Sequence, residues 1–238
     1  MPINIDPLIS PLLTSPLPAK PKIYLTFDDG PYPATEDVLN ALRTADIKAT
    51  FFLCAKNLNN DKELQYRLIK RMMAEGHSLG NHGYDHEPFT MDGYKHSTTQ
   101  AVKKDFTDNV EKLDKLFRGH KDSFPGFPVG RLPGEGKKLD AFVRMITNEV
   151  GIPHAGWDFE FSRTGLMRHV NKKTGVEGVV GEFDRLPNPE DVVLLHDLHW
   201  KGKDNSELLL KLLLKLKENF SVRPLSPVPH TPTVHYKH

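Results

Sequence analysis

With 238 residues, 38% of them hydrophobic and 26% charged, the chain can bury one large core and lacks the bias of a disordered or fibrous protein. Its formal net charge is +1, with Lys and Arg scattered along the sequence, which excludes long-range attraction to nucleic acid or an anionic membrane. The single cysteine, Cys54, rules out a disulfide within the chain; it lies in the apolar run 49–54 and reads as a small buried hydrophobe.

Residues 1–21 are broken by Pro2, Pro7, Pro11, Pro16, Pro18 and Pro21 and read as an extended proline-rich segment ahead of the domain. The run 22–27 has strand character and ends in Thr26-Phe27-Asp28-Asp29-Gly30-Pro31. Gly-Pro stops the strand, and alternation of side chains along it allows the two carboxylates different partners. One can hold a metal while the other stays free as a base.

Val38, Leu39 and Leu42 give residues 36–45 a helical spacing, and residues 48–53 read as a buried strand. A helix over 61–75 follows, with Gly76 as its stop signal, and then a strand over 77–81. Next come an amphipathic helix over 98–117, a Pro/Gly-rich loop over 124–136, and a helix over 138–150. Residues 153–158 and 192–196 are the last predicted central strands, separated by a long connection over 162–188 that is expected to form a helix and a flap shaping substrate choice. The helix over 206–219 is rich in leucine and reads as core packing, with Lys211, Lys215 and Lys217 towards solvent. Alternating strands and helices predict an α/β protein with a largely parallel sheet. Residues 22–223 form its domain, and residues 224–238 a proline-broken tail.

Chemistry-bearing residues gather at the predicted C-terminal ends of strands. Asn81-His82-Gly83-Tyr84-Asp85-His86 offers two imidazoles four residues apart, in a glycine-flanked turn. Two His with one carboxylate from Asp28-Asp29 make three protein ligands and an open position, which suits catalytic zinc and equally a non-haem Fe(II) oxygenase. Leu194-Leu195-His196-Asp197 ends an apolar strand with a histidine, placed either for acid/base work or as a satisfied core residue.

These residues resemble the NodB-like polysaccharide deacetylases, carbohydrate esterase family 4. Residues 26–31 match the family's first motif, His82 to His86 its H-x-x-x-H motif, Arg131-Leu132-Pro133 the start of its third motif, and residues 194–197 its last. The resemblance implies a distorted (β/α) barrel with fewer than eight complete units and seven strands. It implies Asp28 as general base, His196 as general acid and Arg131 as the residue holding Asp28. Asp29, His82 and His86 would bind a divalent metal, zinc first, with Co, Ni or Mn accepting the same set. Leu194 would line a pocket for the acetyl methyl, and the N–H of Gly134 would meet the oxyanion, although the family has an aromatic residue at that position.

After Trp157-Asp158-Phe159-Glu160 the chain lacks the family's Asp-Trp pair, so Asp158, with Glu160 second, is expected to orient His196. Trp200 and Tyr84 are expected to stack on sugar rings, or else to plug loops. The implied activity is hydrolysis of N-acetyl groups from a β-1,4-linked amino-sugar polymer, peptidoglycan N-acetylglucosamine first and chitin or its oligomers second, by a monomer. A glycan-binding module without turnover and the Fe(II) oxygenase are the alternatives. No apolar stretch is long enough to span a bilayer and no signal-peptide pattern opens the chain; a periplasmic or secreted bacterial location, with a leader removed, is expected.

Overall fold

The structure, a computed structural model, describes residues 19–57, 60–86, 98–133, 151, 153–160 and 190–225. Within them the elements are β1 (Lys22–Asp28), α1 (Thr35–Ala45), β2 (Thr50–Leu53), α2 (Lys62–Ala74), β3 (Ser78–Asn81), α3 (Thr99–Gly119), β4 (Val129–Gly130), β5 (Phe159–Glu160), β6 (Asp191–His196), a 3-10 turn (Asp197–Trp200), α4 (Lys203–Asn219) and β7 (Ser221–Arg223). The predicted helix over 138–150, the connection over 162–188, residues 1–18 and 226–238 of the terminal segments, and Gly134 lie outside the described residues.

All seven strands run parallel, in the order β4-β3-β2-β1-β6-β5, with β7 beside the start of β1. The path returns on itself: Gly130 at the end of β4 forms a parallel bridge with His154, and the same segment runs on into β5 against β6. This is the distorted barrel that the sequence implied, with its seven strands.

Strand alternation divides the core. Ile23, Leu25 and Phe27 of β1 face outward with Phe51, Leu53, Leu79, Val193 and Leu195, under the leucines of α1 and α4. Tyr24 of β1 and Val192 of β6 face inward, onto Phe52, Val129 and Ala155. Thr26 and Asp28 share the face of Tyr24, and Leu194 and His196 that of Val192, so the polar end of each inward row falls at the C-terminal mouth. Barrel enzymes keep their chemistry at this rim.

The helices start and stop for local reasons. Asp61 caps α2 by accepting the Leu64 N–H at 3.0 Å, and Thr98 caps α3 by accepting that of Ala101 at 3.1 Å. Helix α4 buries Leu209, Leu212, Leu213 and Leu216, confirming it as a core helix. Lys217 donates to the Ala45 carbonyl at 2.8 Å and so ties α4 to the end of α1. Cys54 is buried and gives its thiol to the His82 carbonyl at 3.5 Å.

Candidate active site

Strand β1 delivers both carboxylates to the mouth, but it does so by ending. Asp28 is its last residue, and Asp29 has φ 71°, a left-handed backbone that Asp tolerates better than most side chains. That turn cancels the alternation of a strand, so both carboxylates reach one imidazole: Nε2 of His82 lies 3.6 Å from Asp28 Oδ2 and 3.3 Å from Asp29 Oδ1. Nε2 of His86 stands 2.8 Å from the same Asp29 oxygen. Nε2 of His196, on the strand beside β1, is 3.8 Å from Asp29 Oδ2, and Asp28 and His196 are register partners.

Asp29, His82 and His86 each offer one ligand atom, all within 4.8 Å of one another. His82 Nδ1 sits 2.8 Å from the Arg131 carbonyl; a carbonyl only accepts, so Nδ1 carries the proton and Nε2 is the nitrogen directed at the carboxylates. Asp29 Oδ1 is buried without a hydrogen bond, although two imidazole nitrogens approach it. An oxygen and two nitrogens converging without hydrogen-bond geometry fit a divalent ion of the zinc type. Burial alone would push the Asp29 carboxyl up, but the His82 and His86 imidazoles beside it outweigh burial and hold the group well below the usual carboxylate range.

Asp28 is held from the other side. Arg131 is fully buried and donates from one terminal nitrogen to Asp28 Oδ1 at 2.8 Å and to Thr26 Oγ1 at 2.9 Å. Its Nε and second terminal nitrogen bond the carbonyls of Ala155 and Gly156, each at 2.9 Å. The guanidinium lies 4.1 Å above the Phe52 ring, so it is fixed in position and register. The contact with Asp28 is the one expected of Arg131, and the same side chain also joins β4 to the segment closing the barrel. Asp28 Oδ2 is left facing Nε2 of His82.

Two residues that the sequence did not single out set the histidine turn. Asn109 of α3 donates to the carbonyl of Leu53 at 2.8 Å and to Asn81 Oδ1 at 2.7 Å, and accepts the Ala55 N–H at 2.7 Å. Asp105 accepts the Asp85 N–H at 3.2 Å, and its carboxylate presses on Gly83 where a Cβ would collide. Asn109 stands in the apolar stripe of Val102, Phe106, Leu113 and Leu116. A lone amide at a core position of an amphipathic helix was the signal available.

Three expectations are corrected or bounded. Asp158 does not reach His196: its Oδ2 accepts the Val192 N–H at 2.8 Å, four residues back along β6, about 13 Å at the rise of a strand. Glu160 sits in β5 opposite Leu194. His196 Nδ1 has no hydrogen-bond partner among the described residues. Trp200 is not an exposed sugar platform; the 3-10 turn rolls it under the helices, where it is 2% exposed within the main core. Tyr84 is half-buried against that core, with Lys112 Nζ 5.8 Å from its ring centre. Leu194 is buried on the inward face below His196.

The mouth opens over Asp29, His86 and His196, whose side chains are 23%, 41% and 21% exposed, above a floor of Asp28 and His82 at 3% and 4%. Such a cluster can bind a carbonyl compound from outside while a buried carboxylate waits beneath it.

The family model for polysaccharide deacetylase matches residues 17–142, and the chain belongs to that family. It is 43% identical over 198 residues to YheN, a putative polysaccharide deacetylase of Bacillus subtilis, an alignment taking in 81% of this chain and 64% of that protein. It is 30% identical over 202 residues to the peptidoglycan-N-acetylglucosamine deacetylase PgdA of Listeria monocytogenes, with 82% of this chain and 36% of the relative aligned. The solved structure of the polysaccharide deacetylase Bc1974 from Bacillus cereus superposes with a TM-score of 0.62 at 25% identity, covering 90% of this chain and 96% of that one. The chain therefore spans less than two thirds of the length of these two curated relatives.

Proposed function

We propose that this protein removes N-acetyl groups from a β-1,4-linked amino-sugar polymer by metal-dependent hydrolysis, with N-acetylglucosamine of peptidoglycan as the substrate. The observation that carries the reading is a division of labour between two adjacent carboxylates. Asp29 joins His82 and His86, while Asp28, tied to Arg131 by one oxygen, keeps the other free beside them.

Asp29, His82 and His86 would hold a divalent ion, zinc in our reading, which when bound would supply a Lewis acid for the amide carbonyl. Asp28 Oδ2 takes a proton from the attacking water, and Arg131 keeps the carboxylate aimed. His196, across the mouth on β6, gives a proton to the sugar nitrogen as the C–N bond breaks, since an amine leaves poorly otherwise; each such transfer contributes roughly 10²–10⁴-fold in rate. Water oxygen ends in acetate and the sugar keeps a free amine. Leu194, on the same inward face as His196, lines the place of the acetyl methyl, and the backbone N–H of Gly134 serves the oxyanion. A cell-wall substrate puts the working protein outside the cytoplasm; no described helix is long and apolar enough to cross a membrane.

The test is acetate release from peptidoglycan and from chitooligosaccharides, with metal stripped by a chelator and restored. Turnover on peptidoglycan that disappears with the metal and returns with zinc is expected. Asp28→Ala should abolish turnover with metal still bound, and His82→Ala should lose the metal. Substantial activity in Asp28→Ala would sink the base assignment. Glycan binding without acetate release, even with zinc supplied, would make the chain a binding module; preference for chitooligosaccharides would move the substrate to chitin.

A further inference from the structure

The residue after the proposed acid has no part in this chemistry, yet it is among the most enclosed polar groups in the protein. Asp197 is 0% exposed, and among the described residues no cation pairs with it. Its Oδ2 accepts the hydroxyl of Thr35, the first residue of α1, and its Oδ1 is buried without a hydrogen-bond partner. Thr35 in turn accepts the Tyr32 N–H at 2.8 Å. The same carboxylate oxygen lies so close to Gly30 that a Cβ there would collide with it.

Residues 30–35 carry the chain from β1 into α1, and Asp197 hydrogen-bonds the far end of this link at Thr35 and packs against its near end at Gly30. That link begins beside Asp29, whose left-handed backbone no helix or sheet ladder holds. Other bonds anchor it only towards β2: Cys54 N–H to the Gly30 carbonyl at 2.8 Å and Asn57 Nδ2 to the Asp29 carbonyl at 2.6 Å. Asp197 supplies the anchor to β6, and its own backbone is continuous with His196.

We propose that Asp197 is a positioning residue, a hydrogen-bonding latch that fixes the Asp28-Asp29 turn against the end of β6 and so sets the metal ligand, the base and the acid at one spacing. The catalytic half of the statement rests on the deacetylase reading; the half concerning the metal ligand does not. A buried side chain that only filled space would tolerate loss of the Thr35 hydroxyl.

Three variants of the full chain separate these cases: Asp197→Ala, Asp197→Asn and Thr35→Val. Zinc affinity is measured by competition with a chromophoric chelator, site geometry by the visible absorption of the cobalt-loaded protein, and turnover by acetate release at saturating zinc. Loss of the latch in Asp197→Ala and in Thr35→Val should weaken zinc about 10–100-fold, the range for residues that orient metal ligands, and alter the cobalt bands. It should lower kcat at least about tenfold, with KM within about threefold, since misplacement by 1 Å can cost 10²-fold. Asp197→Asn, whose carbonyl still accepts the Thr35 hydroxyl, should hold zinc within about threefold of the parent. Zinc affinity and cobalt spectrum unchanged in Thr35→Val would overturn the proposal, as would Asp197→Asn as weak as Asp197→Ala. Should the parent release no acetate from any glycan, the deacetylase reading fails while the zinc and cobalt measurements still judge the latch.

Discussion

Arg131 shows how much of this site one side chain can organise. Its guanidinium is fully enclosed, and four of its hydrogen bonds join β1, β4 and the segment closing the barrel. Removing one partner of a buried ion pair leaves the other charge uncompensated, so Arg131→Met should destabilise the protein by about 3–5 kcal/mol in urea unfolding. A loss under about 1 kcal/mol would mean that water or another cation reaches Asp28 once the guanidinium is gone. Arg131→Lys should also lose turnover, because an ammonium cannot fork between Asp28 and two carbonyls.

At this scale the gathering of Asp28, Asp29, His82, His86 and Arg131 at one place was legible because each sits in a short motif whose spacing survives folding. The surroundings of His196 were not. An acidic residue near the right strand looked like its support, but Asp158 is spent on the Val192 N–H, a bond that depends on how β5 abuts β6. Trp200 looked like an exposed or loop residue for the same reason: a polar turn following a strand gives no sign that it rolls inward.

Among the elements, periodicity placed β1, β2, α1, α2, α3 and α4 to within a few residues, because each has a buried face long enough to show its period. Strand β4 is only Val129–Gly130, too short to carry any pattern, and was hidden in a Pro/Gly-rich loop. The predicted strand over 77–81 begins one residue later, at Ser78. His77 serves as a splice instead: its Nδ1 accepts the Ala49 N–H at 3.1 Å, joining the end of α2 to the approach of β2.

Burial, helped by the positive charge of Lys48 and opposed by Glu75, pulls the His77 imidazole down from 6.5 to about 4. A histidine whose pKa is lower when folded favours the native state fully above its unfolded value and loses that advantage as the pH falls through the interval. Stability should therefore drop between pH 6.5 and pH 4. His77→Asn, which keeps an acceptor for the Ala49 N–H, should flatten the His77 part of that decline, on the order of 3 kcal/mol. Parallel curves for parent and variant in urea titrations across this window would refute the assignment.

For the whole molecule, the proposed metal ligands come from the residue after β1 and from the turn after β3, so an ion held by them would link elements distant in the chain. A ligand that binds only the folded state stabilises it by mass action, about 2.7 kcal/mol at a free concentration one hundred times Kd. Zinc at that level should raise Tm by roughly 5–10 °C for a domain of this size, chelation should reverse the rise, and His82→Ala should abolish it. An unchanged Tm in calorimetry on the parent would argue against a site formed by the fold.

The pairing of Asp28 with His196 across adjacent strands also bears on the order in which the protein becomes competent. On the proposed assignments, a chain made only as far as Arg131 would carry the base, its arginine and the three metal ligands without the acid. The acid comes with β6, which follows later in the chain, so the proposed site is complete only when β6 lies beside β1.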